Sequence, residues 1–204
     1  MTTFLLIRHA HHDMVNRTMA GRMADVGLSR KGEIQAEALA ARLMRLRIRI
    51  GGLYSSPLTR TRATAAPIAR TLNLEVHTLD AINEIDVGEW QGRKFEDLEG
   101  EPRWIRFNLF RSGTNPPLGE FMLQVQARMV AALEDLRTQY PNSIIALVGH
   151  GDPIKATIAC YAGIPLDLML RIEISPASVS VVEINDYGPR ILCVNHTGEL
   201  PCFE

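Results

Sequence analysis

Cysteine is scarce in this 204-residue sequence. The three cysteines, Cys160, Cys193 and Cys202, form no CxxC pair, and so few thiols do not make the disulfide framework of a small secreted domain. We therefore expect a reducing, cytoplasmic location. Each cysteine is interpreted as a small buried apolar side chain.

Long apolar runs and an excess of charge are also missing. No stretch approaches the roughly 20 apolar residues that a transmembrane helix requires, and residues 1–8 lack the basic region and apolar core of a signal peptide. The 22 Lys and Arg residues balance 23 Asp and Glu residues. This balance argues against a nucleic-acid partner and against electrostatic attachment to a membrane.

The sequence contains no repeat, low-complexity tract or dividing linker, so residues 1–204 are predicted to form one domain. Short apolar runs alternate instead with longer amphipathic stretches. The predicted strands are 4–7, 53–54, 75–79 and 143–148. Ser29 is predicted to be the N-cap of a helix with an apolar stripe from Ala36 to Leu46, and further helices are predicted over 59–72, 120–140 and 153–162. A hairpin of 179–184 with 191–195 closes the chain. This order predicts an α/β fold, a three-layer α/β/α sandwich with a mostly parallel sheet.

Two local breaks are expected within this pattern. Gly51-Gly52 is predicted to interrupt the chain before the second strand. Pro67 is predicted either to kink the helix 59–72 or to mark a boundary in it.

Histidines follow two of the apolar strands. The first strand leads into Arg8-His9, and the strand before Gly149 leads into His150-Gly151. Because open parallel sheets bind ligands beyond the carboxyl ends of their strands, His9 and His150 are expected to meet at one edge of the sheet.

Two further segments carry groups for phosphate chemistry to the same edge. The block Ser55 to Ala65 places Arg60 in the first turn of a helix, where a helix N-terminus and a guanidinium fork both suit an anion, whereas Arg62 is interpreted as a solvated arginine. A following loop holds Glu84, Asp86 and Glu89, any of which can serve as a general acid and base. Chemistry alone does not choose among the three acids.

Taken in order, these segments resemble the histidine phosphatase superfamily, also called phosphoglycerate mutase-like. An Arg-His-Gly triplet appears as Arg8-His9-Ala10, and the Ser-Ser-Pro-Leu-x-Arg block begins at Ser55. The family's Glu-x-x-x-Gly-x-x-x-Gly motif corresponds to Glu84, Gly88 and Gly92, its Gly-Glu-Ser signature to Gly119-Glu120-Phe121, and its Ser/Gly-His-Gly motif to Gly149-His150-Gly151. Five motifs in register are a specific signal.

The resemblance implies a role for each matching residue. His9 corresponds to the nucleophile that carries the phosphoryl group, and Glu84 to the acid that protonates the leaving oxygen and then activates water. Arg8, Arg60 and His150, assisted by Asn16 and Gly151, would bind the phosphate. Neither a metal nor another cofactor is implied, because the arginines and His150 supply the positive charge.

The sequence also departs from the family pattern. Ala10 replaces the usual Gly, and His11-His12 replaces the usual Glu followed by Ser or Thr. Val15 stands where an Asn is usual, with Asn16 one place later, and Phe121 replaces a Ser near the substrate entrance. These departures concern the identity of the substrate more than the reaction.

Residues 85–120 are predicted to form a lid or insertion on the substrate side. Its aromatic residues are interpreted as packing within the lid. Its arginines, Arg93, Arg103, Arg106 and Arg111, are interpreted as a solvated face, with recognition of a second anionic group on the substrate as the alternative.

The sequence therefore predicts a metal-independent phosphomonoesterase that acts on a small phosphorylated metabolite; an oligomer is possible. Phosphoglycerate mutase-type transfer is the main alternative, disfavoured because the chain has little room for the insertions of such enzymes between Glu84 and Glu120. A metal-dependent hydrolase built on the string from His9 to Asp13 would need further ligands downstream. A non-catalytic phosphate-binding module would not need both His9 and Glu84.

Overall fold

A six-stranded sheet forms the centre of the computed structural model, which describes residues 1–198. The strands are β1 (Thr2–Arg8), β2 (Ile50–Ser55), β3 (Val76–Thr78), β4 (Ile144–Gly149), β5 (Val179–Asn185) and β6 (Gly188–His196). They lie in the order β3-β2-β4-β1-β5-β6, and β3, β2, β4 and β1 are parallel. β5 is antiparallel to β1, and it continues into the hairpin with β6. The predicted mostly parallel sheet and closing hairpin are confirmed.

Six α-helices of the described residues cover or flank this sheet. They are α1 (Arg30–Arg45), α2 (Thr59–Leu72), α3 (Phe95–Leu98), α4 (Pro102–Leu109), α5 (Met122–Gln139) and α6 (Gly151–Ala162). Ser29 caps α1, as expected, by accepting a hydrogen bond from the backbone N–H of Gly32. Short 3₁₀ turns lie at Asp80–Ile82, Gly88–Trp90 and Leu166–Arg171.

Two apolar layers hold the helices to the two faces of the sheet. Successive side chains of a strand point to opposite faces; Phe4 and Leu6 of β1 therefore pack with α5 and α6, and Leu5 and Ile7 pack with α1 and α2. β1 is buried on both faces for this reason, and a continuous apolar run suits it. The result is the predicted α/β/α sandwich.

The two expected breaks turn out differently in the structure. Gly51 and Gly52 lie inside β2, so the predicted interruption is wrong: pairing with β4 shifts register between Ile50 and Gly52, as at a bulge. α2 runs continuously through Pro67, which excludes the boundary there.

The prediction of three buried cysteines is wrong for Cys160. Its neighbour Ala159 takes the core-facing position of α6, and the helical rotation turns Cys160 to solvent. Cys193 is partly buried against the core, and Cys202 lies outside the described residues. No helix within residues 1–198 combines the length and apolar character needed to cross a membrane.

Four aromatic residues of the segment 85–120, Trp90, Phe95, Trp104 and Phe107, pack against one another as expected, whereas Phe110 is 42% exposed. Trp90 and Phe107 are 1% exposed, and their ring centroids are 5.3 Å apart. Arg111 contradicts the interpretation of a solvated arginine: it is 4% exposed and stacks 4.0 Å from the centroid of the Phe107 ring. It is buried because Asp152 pairs with its guanidinium at 2.8 Å.

Candidate active site

Three neighbouring strands bring the candidate residues to one edge of the sheet. His9 follows β1, His150 follows β4, and Arg60 lies in the first turn of α2 just beyond β2. The His9 backbone N–H donates to the Gly149 carbonyl at 2.9 Å, which extends the β1–β4 ladder to the histidines. The two imidazole centroids are 5.2 Å apart. The predicted meeting of His9 and His150 is confirmed.

A cavity of about 220 Å³ opens at this edge. Six of the seven site residues predicted from the sequence line it: Arg8, His9, Asn16, Arg60, Glu84 and Gly151. His150 is fully buried and lies behind this wall. Its role as a direct phosphate ligand therefore stays a prediction.

His9 is held in the form that a nucleophile requires. Its Nδ1 lies 2.8 Å from the carbonyl oxygen of Ala10, which can only accept, so Nδ1 carries the proton and Nε2 keeps its lone pair. Burial, together with the charge of Arg60, holds the pKa of His9 well below its usual value. The imidazole is therefore neutral near pH 7.

Arg60 and Arg8 concentrate positive charge beside His9. Arg60 is 1% exposed, and its Nη2 donates to the Gly21 carbonyl at 2.7 Å. Arg8 donates through Nη1 to the Ile174 carbonyl. The Nε atoms of both arginines have no hydrogen-bond partner among residues 1–198. Because backbone carbonyls carry no full charge, an anion in the cavity would be the natural counter-charge for both groups.

Gly151 allows this placement of Arg8. A Cβ atom at Gly151 would lie 3.3 Å from Nε and 3.4 Å from Cζ of Arg8. A side chain there would require the Arg8 guanidinium to shift by a few tenths of an ångström.

A hydroxyl relay orients His150. Its Nε2 lies 2.8 Å from Ser56 Oγ, which in turn donates to Asn83 Oδ1 at 3.3 Å. Because the single Ser56 proton is used on Asn83, Ser56 accepts from His150, so Nε2 of His150 carries its proton. Nδ1 then accepts from Arg60 Nη2 at 3.3 Å. Neither Ser56 nor Asn83 was assigned a role from the sequence; the doubled serine before Pro57 was the available signal.

Glu84 is the acid of its loop that faces the cavity. Its Oε2 lies 3.8 Å from His150 Nδ1, and its Oε1 accepts from the Ile85 N–H at 2.9 Å. Burial, and next the charge of Asp152, raise the pKa of Glu84 to about 7, against the opposing effect of Arg60. Asp86 instead accepts from the Gly88 N–H, and Glu89 is exposed. Of the three acids that chemistry alone left open, Glu84 lines the cavity, and its role as the general acid stays a prediction.

A partly buried ion-pair network holds the Glu84 loop. The Glu84 carbonyl accepts from Arg22 Nε at 2.8 Å and from Arg128 Nη2 at 3.2 Å. Glu120 pairs with both arginines, at 2.9 Å in each case. Sequence reasoning placed Glu120 in a family motif but missed the arginines, whose distant positions carry no local signal.

The cavity also contains a second group of charges. Arg111, Asp152 and Lys155 line it together with the apolar side chains of Met14 and Trp104. Burial tends to raise the pKa of Asp152, but Arg111 and Lys155 outweigh it and lower that pKa. Asp152 is therefore ionised, and the group has a net positive charge.

The departures from the family pattern have distinct structural outcomes. The methyl group of Ala10 is buried in the core layer of α1 and α2. Asn16 lines the cavity with a φ of 59°, a left-handed conformation that Asn tolerates. Phe121 is 37% exposed at the start of α5. His12 lines the cavity. His11 instead forms a hydrogen bond with Ser29, with its Nδ1 2.8 Å from Ser29 Oγ.

The histidine string considered as a metal site is therefore split between two places. Within residues 1–198, no group of three or more His, Cys, Asp or Glu side chains is arranged to hold a metal ion. The metal-dependent alternative has no ligand set in this part of the chain.

Comparison with known proteins identifies the family. Phosphoserine phosphatase 1 from Hydrogenobacter thermophilus is 32% identical over 209 residues, covering 98% of this chain and 96% of that protein. Probable phosphoglycerate mutase GpmB from Escherichia coli is 30% identical over 190 residues, covering 91% of this chain and 86% of that protein. The chain also spans about half the length, 55%, of the mycobacterial relatives that it matches.

A solved structure agrees with these relatives. A phosphoserine phosphatase mutant from Entamoeba histolytica, in complex with phosphoserine, has a TM-score of 0.86 at 26% identity and covers 98% of this chain and 100% of its own. The model of the histidine phosphatase superfamily (branch 1) matches residues 4–197. The resemblance drawn from the motifs is confirmed, and the chain belongs to the histidine phosphatase superfamily.

Proposed function

We propose that this chain hydrolyses the phosphate monoester of a small metabolite through a phosphohistidine formed on His9. The observation that carries the proposal is the state of His9: a neutral ring with its Nε2 lone pair free, in a cavity lined by Arg8, Arg60 and Glu84. We further propose that residues 1–204 are a single cytoplasmic domain in which 85–120 covers the substrate. Its partner is the phosphorylated metabolite, not a nucleic acid or a membrane.

Phosphoryl transfer to the enzyme is the first step. The Nε2 lone pair of His9 attacks phosphorus, and the bond from phosphorus to the leaving oxygen breaks. Glu84, protonated below its pKa of about 7, gives its proton to that oxygen. Arg8 and Arg60 stabilise the charge on the equatorial oxygens.

Hydrolysis of the phosphohistidine is the second step. Glu84, now ionised, takes a proton from a water molecule that attacks phosphorus, and the phosphorus–nitrogen bond breaks. Inorganic phosphate leaves, and Glu84 is again protonated. A pKa near the working pH suits one group to both tasks.

A substrate with a second acidic group fits the charges of Arg111, Asp152 and Lys155. Lys155 and Arg111 offer positive charge to a carboxylate, and Asp152 can accept from an ammonium group. Two relatives carry the name phosphoserine phosphatase. We therefore propose phosphoserine as the first substrate to test, with 3-phosphoglycerate, which has a hydroxyl in place of the amino group, as its comparison.

Mutase activity is the second candidate, because one relative is named a probable phosphoglycerate mutase. Only 35 positions separate Glu84 from Glu120, and they are used by α3, α4 and the aromatic packing. Hydrolysis is favoured for this reason.

A panel of phosphate monoesters tests the proposal. The panel contains phosphoserine, 3-phosphoglycerate and nitrophenyl phosphate, each assayed for inorganic phosphate with and without a chelator. We expect turnover that the chelator does not reduce. Isomerisation of phosphoglycerate without phosphate release would favour the mutase, and chelator-sensitive turnover would revive the metal-dependent alternative.

Arg60→Ala is expected to lower kcat/KM by about 10²-fold or more. The variant removes a buried charge that faces the phosphate, and hydrogen bonds to charged groups contribute roughly 1.5–3 kcal/mol. Arg62→Ala is the matched control, because Arg62 lies two residues further along α2 and is exposed. Steady-state kinetics on both variants makes the measurement, and equal kinetics in the two would remove Arg60 from the site.

Ser56→Ala is expected to reduce kcat by about 3- to 10-fold, the value of one neutral hydrogen bond of roughly 1 kcal/mol. Without the hydroxyl, the His150 proton is no longer held on Nε2. Nitrogen-15 NMR of the imidazoles reports the tautomer directly. Ser55→Ala is the control, since Ser55 is equally buried but donates only to the Ser56 carbonyl. An unchanged His150 tautomer in Ser56→Ala would contradict the relay.

A further inference from the structure

His12 is a buried imidazole in the cavity that the steps above do not use. It is 5% exposed, and its ring centroid lies 5.1 Å from that of His9. Its Nδ1 is buried without a hydrogen-bond partner among residues 1–198, and the side chain lines the cavity. The family usually has Ser or Thr at this position, so the larger imidazole ring is a feature of this chain.

The unpartnered Nδ1 indicates where the proton of His12 lies. A neutral imidazole carries one N–H, and a buried N–H without an acceptor is rarer and more costly than a bare lone pair. The proton is therefore assigned to Nε2. An N–H donor on a wall shared with Arg8 and Arg60 suits an oxygen of the same phosphoryl group.

The charges around His12 keep it neutral in the structure. Burial lowers the pKa of His12 to about 4, helped by the positive charges of Arg60 and Arg8. The titratable and charged groups that face it are Arg8 and His9 at the end of β1, Arg60 of α2, His11 and Asp13 of its own loop, and Glu84 across the cavity.

An anion changes this balance. A dianion placed between Arg8 and Arg60 opposes their charge at His12 and favours the imidazolium. An N–H of an imidazolium also forms a stronger hydrogen bond to an anionic oxygen than that of a neutral ring.

We propose that His12 is a further phosphate-binding residue, which donates from Nε2 to a phosphoryl oxygen and takes up one proton from solvent when a dianion occupies the cavity. The proposal rests on the proposed function for the place of the phosphate. It predicts that anions bind more tightly to this chain as the pH falls from 8.5 to 6.

Calorimetric titration with inorganic sulfate tests this directly. Sulfate is a dianion that does not itself titrate between pH 6 and 8.5, so any proton taken up goes to the protein. Titrations in two buffers of different ionisation enthalpy give the number of protons. His12→Gln keeps a neutral amide donor near Nε2 but cannot take up a proton, and His11→Gln is the matched control from the adjacent residue outside this cavity.

The wild-type chain is expected to take up more protons than His12→Gln at pH 6 and to bind sulfate about tenfold more tightly. This difference in sulfate affinity should become smaller toward pH 8.5. His11→Gln should match the wild type. Equal proton numbers and affinities in His12→Gln and the wild type would overturn the proposal.

Two further measurements keep the result interpretable. If His12→Gln does not fold, carbon-edited NMR of the wild type replaces it: the pKa of His12 must rise when sulfate is added, and an unmoved pKa overturns the proposal. Nitrophenyl phosphate turnover is assayed on the same wild-type preparation. If the wild type does not hydrolyse nitrophenyl phosphate but still takes up a proton on His12 when sulfate binds, the proposed function is rejected and the role of His12 in anion binding stands.

Discussion

His9→Ala is expected to abolish turnover of every phosphate monoester, with a loss of at least roughly 10⁴-fold in kcat. His9 presents its Nε2 lone pair to the phosphate because its Nδ1 proton is engaged by the Ala10 carbonyl, whereas the lone pair of His12 lies on its buried Nδ1. Removing a nucleophile leaves binding and electrostatic effects, which have no attacking group to act on in this mechanism.

The measurement combines kinetics with trapping of the intermediate. Wild-type enzyme quenched in base during turnover of a phosphorus-32 ester should carry acid-labile label, and His9→Ala should carry none. His11→Ala is the control, because it removes an imidazole two residues away that does not line the cavity. Turnover within tenfold of wild type in His9→Ala would exclude the phosphohistidine mechanism.

His9→Ala should still bind phosphate. Arg8 and Arg60 are held by backbone carbonyls of Ile174, Gly21 and Met23, none of which depends on the His9 ring. We therefore expect sulfate affinity within about tenfold of the wild type, which separates a lost nucleophile from a collapsed site.

The fold was predictable because its signals are local and periodic. A strand buried on both faces must be apolar throughout, as β1 is, and the stripe on α1 repeats with the helical period. Gly51-Gly52 was misread because a bulge in a strand and a break before one have the same composition. Only the partner strand β4 distinguishes them.

The site was predictable where a residue lies at the end of a regular element. His9, His150 and Arg60 follow strands or begin a helix, so topology brings them together. Arg128 was not predictable: it lies in the middle of α5 and reaches the Glu84 carbonyl through tertiary packing. Arg111 was misread for a similar reason, since only the fold reveals that Asp152 lies beside it.

His150 shows that a correctly recognised motif does not specify whether its side chain contacts the phosphate. The sequence placed it at the site, and the structure holds it behind Arg60, with Nδ1 accepting from that guanidinium. Burial and the charge of Arg60 lower its pKa well below the usual value. As a neutral acceptor, it orients Arg60. Its Nδ1 also lies 3.8 Å from Glu84 Oε2, close enough for the charge of Glu84 to act on it.

Glu84→Gln is expected to have the second-largest effect, and the loss should depend on the leaving group. An alkoxide such as that of serine requires a proton in the transition state, and a positioned acid contributes typically 10²–10⁴-fold. We expect a loss in that range for phosphoserine. Nitrophenolate leaves without a proton, so the first step with nitrophenyl phosphate should be nearly normal.

The same variant should expose the second step. Without a base to activate water, the phosphohistidine would accumulate, so rapid mixing of Glu84→Gln with nitrophenyl phosphate should give a burst of one nitrophenolate per site followed by slow turnover. Glu89→Gln is the control, since Glu89 belongs to the same loop but is exposed. Equal losses on both esters without a burst would argue that Glu84 only binds substrate.

The pH dependence of kcat/KM gives an independent test of Glu84 as the general acid. Its pKa is raised to about 7, chiefly by burial and the charge of Asp152, so the acid form is present below pH 7 and lost above it. Wild-type kcat/KM for phosphoserine should therefore fall as pH rises through 7, and Glu84→Gln should lack this limb. Asp152→Asn removes a negative charge near Glu84, which lowers its pKa and should move the limb to lower pH. A limb that stayed in place in both variants would belong to another group, and the acid in the first step would then have to be sought outside Glu84.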